Sequence, residues 1–235
     1  MFFKGVTFCH LSKLILLYQR KRLFMSTLII NAHPNISDSL SYTERLKQLF
    51  VEKYVQKFDK QNLDVINLYD EIIPILSENE LLGIWRKEAS NDVLTRQETL
   101  LLETSHLLLS QFKKHDHIVI ATPLHNFNIP SRLKDYLDNI LIAKETFKYT
   151  DSGSVGLMND HKCLLLESSG GIYTTLNQVS HLDFLNQYLT GVFTDIMAFN
   201  DFLTVRAEGT DELDQTTVLK SSQLLLNECF EKFYN

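Results

Sequence analysis

HIVIATPLHNFNIPSRLKDYLDNI, residues 117–140, decides the fold. Its first five residues are an apolar run. Its last ten place Leu133, Tyr136, Leu137 and Ile140 at helical spacing. An apolar run that does not alternate marks a strand covered on both faces, and a strand leading straight into an amphipathic helix is the repeating unit of a parallel sheet. The turn between them is unusual. Where Gly, Ser or Asp would serve, it carries an imidazole, two amides and an aromatic ring: His125, Asn126, Phe127 and Asn128.

The same alternation extends in both directions. Residues 28–32, 63–69, 117–122, 162–167 and 195–205 read as strands. Residues 39–58, 77–87, 95–114, 132–143, 183–189 and 212–234 read as helices, with Thr95 and Glu98 in capping-box spacing. Tyr-Thr-Asp-Ser-Gly-Ser within 147–157 is a turn signal and predicts a small hairpin. The pattern predicts an α/β fold: a flavodoxin-like, five-stranded parallel sheet with helices on both faces, plus the hairpin. Its ligand would lie at the carboxyl ends of the strands. No repeat or linker interrupts 25–235, which reads as one domain. Residues 1–24 are more basic and read as an extension outside the fold, a short amphipathic membrane-contacting segment being the alternative.

Composition narrows the function. A net charge of −6 argues against a nucleic-acid partner, because phosphate binding needs clustered cations. The three cysteines are odd in number and widely spaced, which fits a reducing cytoplasm better than a disulfide framework. No apolar stretch is long enough to span a membrane.

Three loops follow strands whose carboxyl ends share one edge. In NAHPNISDSLSYTERL (31–46), Ser37, Ser39 and Ser41 precede a helix, which suits either capping or phosphate binding by free N–H groups and hydroxyls. The loop has neither the GxxxxGK[ST] nor the GxGxxG pattern. In the second loop, Leu124 and Phe127 could wall a ring while the amides meet its polar edge; the alternative has Phe127 plugging the core and Asn128 capping the next helix. The third, SSGG at 168–171, offers a backbone that a ligand can approach closely. His115-Asp116-His117 lacks a third ligand nearby and reads as structural, so no metal is expected. Cys163 lies inside a strand and reads as inert.

At these residues a resemblance appears. HIVIATPLHNFNIPSRLKDYLD, TFKYTDSGSVGL and LLLESSGGIY resemble the FMN-dependent NADH-azoreductases of the flavodoxin-like quinone reductase superfamily, in motif order and spacing, from about Met25 to the C-terminus. The resemblance implies FMN as cofactor, and NADH or NADPH as electron donor. It implies ping-pong hydride transfer through flavin N5 to a flat acceptor, a quinone or an azo compound. Ser37, Asp38 and Ser39 match the family's phosphate loop, whose first serine falls near His33. His33-Pro34 is instead similar to the wider superfamily. Leu124, His125, Asn126 and Phe127 match the segment lining the flavin ring, with Leu124 and His125 where Met and Tyr are frequent. Ser168, Ser169, Gly170 and Gly171 match the loop at the pyrimidine edge, Ser169 replacing a frequent Arg. Tyr149 matches an aromatic hairpin position on the substrate side, and His125 is a candidate proton donor. Such enzymes resemble homodimers, which makes 132–143 and 81–109 candidate interface helices. A flavodoxin-like regulatory or ancillary subunit is the alternative from another class. A one-electron flavodoxin is disfavoured by the hairpin and the long 77–114 segment.

Overall fold

The computed structural model describes residues 26–35, 37–38, 40–175 and 179–235; the expected extension at 1–24 and Ser39 lie outside the described residues. Five parallel strands form the sheet in the order β2-β1-β3-β6-β7. They are β1 (Thr27–Asn31), β2 (Leu63–Asn67), β3 (His117–Pro123), β6 (Lys162–Ser168) and β7 (Asp201–Ala207). The chain starts in the middle, runs to one edge and then returns to build the other, so the order reverses between β1 and β3. That reversal leaves a crevice at their carboxyl ends.

Apolar side chains on these strands divide by parity, as the pleat requires. Leu28, Ile30, Ile118, Ile120, Cys163 and Leu165 enter one core. There they meet α3 (Arg96–Lys114), α4 (Ser131–Ile140) and α5 (Phe184–Thr190) through Phe112, Tyr136 and Leu185. Ile29, Val119, Ala121, Leu164 and Leu166 face α1 (Tyr42–Lys57) and α6 (Gln215–Phe233), packing on Phe50, Tyr54 and Phe230. Both faces are covered, which is why the strands carry uninterrupted apolar runs. The Thr95–Glu98 capping box is present with both its hydrogen bonds.

Boundaries differ where local hydrogen bonds outcompete periodicity. The last strand was expected over 195–205. Instead α5 continues into a π-helical turn, Gly191–Ile196, and β7 starts at Asp201. Val192, Phe193 and Met197 enter the core at helical spacing, and Ala198 at φ 64° ends the turn. Expected over 77–87, α2 spans Leu81–Ser90, because Glu80 folds back to accept from Ile75 N. Expected over 132–143, α4 stops at Ile140, whose carbonyl accepts from Thr146 Oγ1 at 2.8 Å. The hairpin forms from β4 (Phe147–Thr150) and β5 (Gly153–Gly156). Its root is fixed at the amino edge of the sheet by Lys113–Glu145 at 2.6 Å and by Met158 N donating to Met197 O.

Candidate functional site

The reversal point brings the loops after β1, β3 and β6 to one edge. Three hydrogen bonds tie them: Ala32 N donates to Ala121 O at 2.8 Å, Leu124 N to Ser168 O at 2.8 Å, and the Thr43 and Ser168 hydroxyls meet at 2.6 Å.

The β1 loop is braced from within. Ser41, not Ser37, caps α1, its Oγ accepting from Glu44 N at 3.5 Å. The same hydroxyl lies 2.9 Å from His33 Nε2, and His33 Nδ1 lies 2.8 Å from Asn35 O. With the proton on Nδ1 the imidazole donates to Asn35 O and accepts from Ser41; with it on Nε2 it donates to Ser41 and accepts from Asn35 N at 3.2 Å, so either tautomer braces the loop. Ser37 Oγ donates to Asn35 Oδ1, and Asp38 Oδ1 accepts from Leu40 N. His33 is thus a strut that shapes the loop ahead of a helix N-terminus. Beneath it, Asn31 Nδ2 donates to both Glu44 Oε1 and Asn67 Oδ1.

The β3 loop explains its odd composition. His125 and Asn128 exchange backbone hydrogen bonds at 2.9 and 3.0 Å, with Asn126 at φ 48° and Phe127 at φ 65° between them. Positive φ at both central residues is the tight turn in which Asn is well tolerated and Phe is not; left-handed Phe stores about 1–3 kcal/mol of strain. Phe127 is 46% exposed, so it does not plug the core. Nor does Asn128 cap α4: its Oδ1 accepts from Ile129 N, and the cap position is Pro130. The turn is held from outside by Phe184 N, which donates to Phe127 O at 3.2 Å. The imidazole of His125 is exposed.

The β6 loop is zipped to the one after β7. Carbonyls of Ser169, Gly170 and Gly171 accept from Thr210, Asp211 and Gly209 N, and Ser169 N donates to Ala207 O. This uses the acceptors of the glycines and leaves the N–H groups of Gly170 and Gly171 without a partner among the described residues. A Cβ at Gly170 would stand 2.3 Å from Asp211 Oδ2, so a side chain there requires the exposed Asp211 carboxylate to move. Ser169 is buried and its hydroxyl donates to Gly171 O at 2.9 Å, so it braces the loop.

Tyr149 makes no hydrogen bond or ring contact with these loops among the described residues. It lies on the hairpin, 76% exposed, its ring edge-on to Phe147 at 5.3 Å. Three residues escaped the sequence reading. Glu167, Arg206 and Asp183 form a charged cluster at the base of the β6 loop, its two carboxylates buried and its guanidinium partly so, and burial, reinforced by Asp183 and Glu208, pushes the Glu167 carboxyl up to about 7 against the pull of Arg206. A glutamate at the end of the apolar run LLLES was the available signal.

These features define a flavodoxin-like protein whose ligand edge combines a helix N-terminus, an apolar turn and a bare glycine loop. The family model for the flavodoxin-like fold matches residues 25–224. The FMN-dependent NADH:quinone oxidoreductase 1 of Lactiplantibacillus plantarum is 46% identical over 212 residues, 89% of this chain and 99% of that protein. Its counterpart in Streptococcus agalactiae is 47% identical over 90% of this chain and 99% of that protein. The crystal structure of an FMN-dependent NADH-azoreductase from Bacillus anthracis in complex with FMN superposes with a TM-score of 0.85 at 40% identity, covering 89% and 99% of the two chains. The chain belongs to this family of FMN-dependent NADH:quinone oxidoreductases and NADH-azoreductases.

Proposed function

We propose that this protein is an FMN-dependent NAD(P)H oxidoreductase that reduces quinones and azo compounds by two electrons, with 25–235 as its FMN-binding domain, working in the cytoplasm. The observation that carries the reading is the Gly170–Gly171 loop, whose carbonyls are committed to the β7 loop and whose N–H groups have no partner among the described residues, on the same edge as apolar Leu124 and Phe127. Glycine at 170 presents bare backbone there, and a side chain in its place would have to displace the Asp211 carboxylate. This donor set fits a flavin.

When bound, FMN supplies hydride transfer through N5, taken from NADH or NADPH and passed in ping-pong order to the acceptor. The chain's task is to bind and tune. N–H groups of Gly170 and Gly171 would hold the ring at its pyrimidine side and would favour negative charge there without a cation. Leu124 and Phe127 would wall the ring, and His125 and Asn126 would serve its polar side. Ser37 and Asp38, on the loop shaped by the His33 strut, would hold the phosphate near the N-terminus of α1, with Ser39, which lies outside the described residues, as the third candidate. Ser168 holds the β6 loop against α1 through Thr43. The exposure of His125 supports a role for it in handing a proton to the acceptor.

Tyr149 fits this reading only in a homodimer. Its hairpin is rooted at the amino edge, opposite its own ligand loops, so a second copy is the natural recipient of the ring. Exposed Leu100 and Leu107 on α3 support such an interface.

The test is spectroscopic. Protein loaded with FMN and desalted is expected to keep the flavin absorbance, bleach with anaerobic NADH or NADPH, and recover with a quinone. Flavin that washes out, or stays oxidised with both nucleotides, defeats the proposal.

A further inference from the structure

Glu167 stands in β6, three residues before Gly170, and is 1% exposed. Neither of its carboxylate oxygens receives a hydrogen bond among the described residues. Arg206 on the adjacent strand β7 brings Nε to 3.2 Å from Oε2, but that N–H is not aimed at the oxygen and makes no hydrogen bond. The guanidinium is instead turned to Asp183, Nη2 donating to Oδ2 at 2.8 Å. Asp183 Oδ1 accepts from Asn186 N at 3.0 Å, capping α5. The next residue, Phe184, is the one whose N–H holds the carbonyl of strained Phe127.

One guanidinium thus serves two carboxylates, and the second is at the root of the helix that holds the ligand turn. The other charged or titratable groups facing Glu167 are Glu208, just past β7, and the phenol of Tyr173, just past the glycine loop. No further cation joins them in this set. With both carboxylates ionised the trio carries one excess negative charge in a nearly dry space, and a proton on Glu167 removes it. Burial and the two neighbouring carboxylates place that event near neutrality.

We propose that Glu167, Arg206 and Asp183 are positioning residues for the flavin site: with a proton on Glu167, Arg206 stays committed to Asp183 and the 125–128 turn keeps its observed geometry, and loss of that proton to solvent draws Arg206 toward β6 and loosens the turn. The inference rests on the flavin reading above. None of the three touches the reacting atoms; they act through Phe184 and Phe127.

The measurement is the dissociation constant of FMN between pH 5 and 9, by quenching of flavin fluorescence, for the wild type, Glu167→Gln and Asp183→Asn. The FMN phosphate titrates near pH 6 in every case, so the readout is the wild-type constant divided by the Glu167→Gln constant. That ratio is expected to be flat in acid and to rise about fivefold or more above pH 7, the low end of coupling between linked sites. Asp183→Asn removes one of the charges that hold the proton on Glu167, and so moves the inflection to lower pH. If Glu167→Gln does not fold, the wild-type constant is divided by the Asp183→Asn constant instead, and a ratio that changes with pH between the two inflections carries the test. A ratio independent of pH, or an inflection that Asp183→Asn leaves in place, overturns the inference while FMN binding stands. If the wild type binds no FMN at any pH, the flavin reading falls and takes this inference with it.

Discussion

At the amino edge of the sheet, His117 Nε2 meets Phe233 O at 3.1 Å, His115 Nε2 meets Asp64 at 3.0 Å, and the Thr27 and Tyr234 hydroxyls meet at 2.8 Å. The His-Asp-His sequence there is spent on fastening strands to helix ends. At the carboxyl edge the opposite holds. Phe127 sits in left-handed backbone, the Gly170 and Gly171 N–H groups face no partner among the described residues, and Glu167 is buried with both oxygens undonated. Both edges cap the same five strands, so packing alone does not explain the contrast. Strain and unsatisfied groups occur at the amino edge too, at left-handed Ala198 and at buried His161 Nε2, but at the carboxyl edge they gather around the loops that face the crevice, where a ligand can use them. The amino edge builds stability and the carboxyl edge stores the requirements of the site.

Glu167→Gln gives the largest expected effect. The carboxyl is raised from 4.5 to about 7 in the folded protein, so folding favours its protonated form. Its contribution to stability is full below about pH 4 and is lost as pH rises to about 7. The difference corresponds to about 3 kcal/mol at pH 8. Gln imitates the protonated acid and escapes that loss. Urea unfolding of flavin-free protein is expected to show the variant more stable than wild type by about that amount at pH 8, with the two converging below pH 5. Equal stabilities at pH 8 would break the comparison, because Glu167 would then not be a buried charge kept against stability.

His117→Ala probes the other edge. It removes the hydrogen bond to Phe233 O and ring contacts to Phe233 and Tyr234 at 4.9 and 4.8 Å. The expected loss is about 2 kcal/mol in the same unfolding measurement, with the FMN dissociation constant unchanged. A weakened flavin site would show that the two edges are not separable.

This division also explains what could be read from the sequence. The apolar runs and helical spacings located the first four strands and only the second half of the expected fifth, because burial on both faces writes itself into periodicity. The three loops were legible as oddities: SSGG, a serine-rich helix start, and amides where a plain turn would do. Three kinds of information were not there. The continuation of α5 into a π-helical turn at Gly191–Ile196 shares its apolar spacing with a strand pattern until Met197 and Phe199 are seen in the core. The strut between His33 and Ser41 joins residues whose separate roles as phosphate ligands were equally plausible on paper. The Glu167–Arg206–Asp183 cluster comes from two strands and a helix start, and only the register of β6 with β7, which pairs Glu167 with Arg206, brings it together.

The smallest expected change in stability is at Phe127, and it is the sharpest test of the contrast. Phe127→Asn removes a half-exposed ring, which costs about 1 kcal/mol of apolar burial. It also places a residue that tolerates φ 65° where Phe was strained, which returns about 1 kcal/mol or more. The two nearly cancel, so the unfolding midpoint is expected to stay within about 1 kcal/mol of wild type. Flavin affinity is expected to fall about tenfold, because the apolar wall of the crevice is gone although the turn remains. Were strain at this turn an accident of packing, Asn would leave FMN binding untouched. A variant that folds as well as wild type and binds flavin poorly separates the two explanations, since only a turn kept for its ligand loses function without losing stability.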